Sequence, residues 1–144
     1  MKFATLLSSV ALVFSSFAHA VTVSYDTAYD APGGSLATVA CSDGANGLLT
    51  DGFTTFGSLP KFPYIGGAAA VAGWNSPNCG TCWQLTYTNP KGGKKSINVL
   101  AMDQATTGFN IALTAMNDLT GGLAAQLGRV DVVSKQVSAS VCGL

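Results

Sequence analysis

The chain has 144 residues, with 7 lysines and arginines against 7 acidic residues, all of them aspartate, and one histidine. So few cations leave no electrostatic footprint for nucleic acid or an anionic membrane surface. The segment before Val21 reads as a secretory signal: Lys2 is its basic start, Phe3 to Phe17 is mostly apolar, and Ala18-His19-Ala20 is a small-x-small cleavage site. It is too short and too serine-interrupted for a bilayer span, so no integral membrane association is expected.

Cleavage after residue 20 leaves residues 21–144 as one domain, able to bury roughly two-thirds of its unfolded surface. The mature chain then has no histidine. That excludes a Ser-His-Asp triad, a Cys-His nucleophile and a His-ligated metal site. No metal or cofactor is implied, and acid-base chemistry falls to aspartate.

Val21 to Tyr25 alternates apolar and polar residues, as a strand at a sheet edge does. Pro32-Gly33-Gly34 ends it, and Leu36 to Ala40 begins another short run. Trp83, Leu85 and Tyr87 alternate with Gln84, Thr86 and Thr88, then Asn89 to Gly93 forms a turn. Ile97 to Met102 is apolar on both faces, so it reads as the central strand of a hairpin. Ile111, Ala115, Leu119, Leu123 and Leu127 form a helical stripe interrupted at Gly121-Gly122, which predicts one helix plus a turn or two short helices. Val130 and Val132 are out of phase with Val137, Ala139 and Val141, which predicts a bulge or kink near Val133 to Gln136. Short strands with one helical excursion point to a small closed, all-β barrel.

Four cysteines suggest two disulfides. Cys79-Gly80-Thr81-Cys82 has redox spacing, but it precedes a strand rather than opening a helix, so structural half-cystines are the better reading. In an extended chain Cys79 and Cys82 face opposite ways and take different partners. Cys41–Cys79 with Cys82–Cys142, and Cys41–Cys82 with Cys79–Cys142, both remain open on spacing.

The segments Val21 to Asp26, Cys41 to Leu48, Phe62 to Gly67, Gly73 to Ser76, Cys79 to Trp83 and Gly108 to Ala112 stand in an order that resembles the cerato-platanin family of small secreted fungal proteins. The resemblance covers essentially the whole chain from Val21. It implies a double-psi β-barrel, similar to the first domain of expansins, with Cys41 paired to Cys79 and Cys82 to Cys142. It also implies a secreted, wall-associated monomer that binds chitin-type N-acetylglucosamine oligomers without hydrolysis, and that a plant cell-surface receptor senses as an elicitor.

Candidate ligand-binding residues are Asp103, Asn110, Asp43 and Asn46. Asp103 ends the apolar strand, where a carboxylate can accept hydrogen bonds from sugar hydroxyls. By residues alone it is a turn cap, and the resemblance places it in a groove. Asn110 precedes the helical stripe, where an N-cap is the simplest role, and the resemblance sets it across the same groove. Asp43-Gly44 and Asp51-Gly52 read as turn dipeptides, with Asp43 and Asn46 able to reach the groove rim. Among the aromatics, Trp83 and Tyr87 are expected in the core. Tyr25, Tyr29 and Tyr64, beside turns, rank above Trp74 and Phe109 as exposed sugar-stacking surfaces. A glycosidase using Asp103 as general acid is the competing enzyme reading. It lacks a recognisable second carboxylate, which acid-base glycoside hydrolysis normally requires. A surface-active coat protein is the third, on 48% hydrophobic residues, a figure the signal segment inflates.

Overall fold

The computed structural model describes residues 17–144. Most of the expected signal segment therefore lies outside the described residues. Six strands close into a barrel: β1 (His19–Tyr25), β2 (Ile65–Ala68), β3 (Cys82–Thr88), β4 (Lys94–Gln104), β5 (Phe109–Ile111) and β6 (Arg129–Val137). Their order around the barrel is β1-β5-β2-β4-β3-β6. The β1–β5 and β2–β4 pairs are parallel and the rest antiparallel. This is the expected double-psi barrel. The expected cleavage point falls within β1, whose His19 and Ala20 pair with Ser134 and Val133.

The β3–β4 hairpin forms as its alternation predicts, with Leu85 opposite Ile97. β4 is central, lying between β2 and β3, and Val99, Leu100, Ala101 and Met102 are all buried. β1 is not an edge strand. It is paired on one side to β5 and on the other to β6, and closure removes edges altogether. Its alternation instead separates a barrel interior from an outer face. Leu36–Thr38 is a 3-10 turn rather than a strand, capped by the Ser35 hydroxyl.

The helical stripe divides as expected into α1 (Leu113–Thr120) and α2 (Ala124–Leu127), with Gly121 in a left-handed C-cap at φ 68°. Ile111, the first residue of the stripe, belongs to β5. The bulge expected near Val133 to Gln136 is absent. Pairing to β3 runs unbroken from Val133 to Val137, and the change of phase arises because β6 ends there and Ala139–Cys142 turns as a 3-10 helix.

Cys41 bonds Cys79 and Cys82 bonds Cys142. The two cysteines of the C-x-x-C segment thus serve different partners, and no free cysteine remains among the described residues. The first bond ties two loops to each other, and the second ties the C-terminal 3-10 turn to β3.

Candidate functional site

The predicted residues Asp103 and Asn110 are brought together by strand register. Asp103 pairs with Gly67, Gly67 with Asn110, Asn110 with Ser24, and Ser24 with Arg129, one row crossing five strands. Residues opposite one another on adjacent strands share a face, so this row marks one level of the barrel wall. Gly67 carries no side chain between the carboxylate and the amide. A Cβ there would lie 2.6 Å from the Gln104 carbonyl oxygen, so close passage of the chain requires glycine.

Asp103 is held from three directions. Tyr29 Oη donates to Oδ2 at 2.8 Å, while the backbone N–H groups of Ala40 and Gln104 donate to Oδ1 at 2.9 and 2.8 Å. A carboxylate has about four acceptor positions, so one remains for a ligand. Asp103 is therefore more than a local turn cap, because it ties Tyr29 and the loop entering Cys41 to β4. Tyr29, expected to be an exposed stacking surface, is 8% exposed and packs edge-on against Phe56. Its hydroxyl is needed by Asp103, which draws the ring inward.

Burial and the Asp103 carboxylate hold the Tyr29 phenol well above the ordinary tyrosine value of about 10. The sign follows directly. Above about pH 10 an unfolded chain releases this proton while the folded chain keeps it. The Tyr29 contribution is thus complete below pH 10 and is lost progressively as pH rises towards the folded value. Melting temperature is expected to fall over that alkaline window in the parent, and less steeply in Tyr29→Phe. Equal slopes in the two proteins would contradict this coupling.

Asn110 is not a helix N-cap. It lies in β5, and its Oδ1 accepts from Ser24 Oγ at 2.9 Å. The start of α1 is capped instead by Asp30, whose oxygens accept from the Leu113 and Thr114 N–H groups at 2.7 and 2.9 Å. The Asn110 side-chain amino group has no intramolecular hydrogen bond among the described residues. It lines a shallow polar cleft of about 200 Å³ with Ser24, Gln104, Thr106, Thr107 and Arg129. Asp103, Asp43 and Asn46 do not line this cleft.

Asp43 and Asn46 lie on the loop after Cys41, which Ala40 joins to Asp103. Asp43 Oδ1 accepts from the Trp74 indole N–H at 2.6 Å, a bond that lowers the Asp43 pKa. Asn46 is bound twice to Asn75: its N–H donates to Asn75 Oδ1 at 2.9 Å, and its amide to the Asn75 carbonyl at 3.0 Å. Trp74, placed below the tyrosines from sequence, is 64% exposed. Tyr25 and Tyr64 are half-buried against the core, as are Trp83 and Tyr87.

Ser24 and Arg129 were missed by sequence reasoning. Ser24 has a recoverable signal, an outward position on an alternating strand, whereas Arg129 has none. Larger clefts of about 350 and 280 Å³ share Asp118 and lie along the first half of β4, away from Asp103, Asn110, Asp43 and Asn46, and Tyr64 lines the second of them.

The fold and site define a small, disulfide-stapled β-barrel with an outer polar groove. A cerato-platanin family model matches residues 21–144, and the chain belongs to the cerato-platanin family. The heat-stable 19 kDa antigen of Coccidioides immitis is 45% identical over 100% of this chain and 99% of its own length. The crystal structure of cerato-platanin 2 from M. perniciosa superposes with a TM-score of 0.83 at 51% identity, covering 88% of this chain and all of that one. The solution structure of a fungal elicitor, cerato-platanin, has a TM-score of 0.73 at 43% identity, covering 85% and 96%. None of these names is that of a catalyst. No helix among the described residues is long and apolar enough to cross a membrane.

Proposed function

We propose that this chain is a secreted fungal wall protein that binds chitin-type N-acetylglucosamine oligomers without cleaving them, loosens wall polymers as expansins do, and elicits plant defence. The observation that carries the reading is the polar cleft at the Asn110 end of the Asp103–Gly67–Asn110–Ser24 row, where the free Asn110 amino group, Ser24, Gln104, Thr106, Thr107 and Arg129 present donors and acceptors together. Such a surface suits the alternating hydroxyl and amide groups of a saccharide. Hydrolysis normally requires two carboxylates flanking the scissile bond, and the cleft beside Asn110 is lined by amides, hydroxyls and one guanidinium. The elicitor role rests on likeness to the fungal elicitor, and secretion on the segment before Val21.

Titration with N-acetylglucosamine hexamers tests this. The parent is expected to bind and to release no new reducing ends. Asn110→Ala removes one neutral hydrogen-bonding group and should weaken binding by about 3- to 10-fold. Undiminished binding by Asn110→Ala would remove the row from the site, and reducing-end release by the parent would favour the hydrolase.

A further inference from the structure

Trp74 is the most exposed large apolar side chain from β1 onward, and it stacks on no other aromatic ring among the described residues. Its one polar group is already committed to Asp43, so only the indole faces remain for a partner. The surrounding chain holds that ring in place. Asn75, the next residue, has a left-handed φ of 56° and is locked by both bonds from Asn46. Gly44, at φ 83°, permits this approach, since a Cβ there would lie 2.6 Å from Asn75 Oδ1. The Cys41–Cys79 disulfide closes the base of the two loops. An aromatic ring fixed before its ligand arrives loses little conformational freedom on binding.

The rim specifies the ligand class. Residues 41–52 and 69–82 contain no lysine or arginine, and Asp43 and Asp51 are their only charges. An anionic ligand would meet no cation there. No second large apolar side chain is exposed in these loops, so the patch is too narrow for membrane insertion. A neutral polyol with one flat C–H face fits both conditions.

We propose that Trp74 is the stacking platform for one β-linked pyranose ring of a neutral polysaccharide, with Asp43 fixing the plane of the indole. This rests on the glycan-binding reading above and adds the contact that would select ring-shaped, equatorially substituted sugars.

The test is calorimetric titration of the parent, Trp74→Ala, Trp74→Phe and Asp43→Asn with hexamers of N-acetylglucosamine, β-1,4-glucose and β-1,3-glucose, paired with melts of each protein. The parent is expected to bind at least one series. Trp74→Ala should bind it at least about ten-fold more weakly at an unchanged melting temperature, as expected for an aromatic hot spot. Trp74→Phe, which keeps a ring face but loses the bond to Asp43, should fall between the parent and Trp74→Ala, and Asp43→Asn, which weakens the bond that fixes the indole, should bind about three-fold more weakly than the parent. If Trp74→Ala binds like the parent, the platform is wrong and the glycan reading stands. If Trp74→Ala loses fold as well as affinity, Trp74→Phe decides: a folded phenylalanine variant that binds as weakly as the alanine one overturns the platform. Parent protein that binds none of the three series overturns both readings.

Discussion

Replacing Cys82 and Cys142 together by alanine is expected to cost about 4 kcal/mol of stability and about 15 °C of melting temperature. The bond spans 60 positions, so its loss frees a long loop in the unfolded chain. Both half-cystines are fully buried, and the truncated side chains leave space that the barrel wall must absorb. Chemical denaturation of parent and double variant measures the difference. A loss below about 1 kcal/mol would mean that the unfolded chain is little constrained by this bond. Removing Cys41–Cys79 instead should lower stability by a similar amount, since its 38-position loop enters only through a logarithm. That second pair carries the Asp43 and Trp74 loops, so its removal should also weaken glycan binding in protein that is still folded.

The second large effect is expected at Asp103. Asp103→Ala leaves the Tyr29 hydroxyl and the Ala40 and Gln104 N–H groups without their acceptor. Unsatisfied groups cost about 1–3 kcal/mol each where water cannot reach them. Tyr29 is the most buried of these three residues, so a total loss of about 3 kcal/mol is expected. Asp103→Asn retains one oxygen for both N–H groups and requires only that Tyr29 reverse its hydroxyl, so about 1.5 kcal/mol should suffice. Urea unfolding of the two variants gives the ordering. Equal losses would show that the N–H groups find water and that the charge alone matters. Because Asp103→Asn should still fold, its oligosaccharide titration reports on the one acceptor position that the protein leaves open.

Much of this architecture was legible from local pattern. The alternation from Trp83 to Thr88 and the continuous apolar run to Met102 set the β3–β4 hairpin, because a strand buried on both faces needs no polar face. Gly121-Gly122 marked where the helical stripe breaks, since a left-handed C-cap there suits glycine. Long motifs in a constant order were enough to assign the family and, through it, the disulfide pairing.

Other features required the folded chain. β2 and β5 are short, at 4 and 3 residues, too brief for a period-two pattern to emerge, and their identity comes from partners across the barrel. Asp30 caps α1 from 83 positions away, which left Asn110 as the apparent local cap. Tyr29 looked exposed beside its turn until Asp103, 74 positions on, supplied a partly buried acceptor for its hydroxyl. Trp74 went the other way: it ranked below the tyrosines as an exposed surface, yet its polar edge is held by Asp43 while its faces remain open to solvent. Local periodicity reports which face of an element is apolar. Hydrogen bonds between remote segments decide which polar groups are consumed by the fold and which are left for a ligand.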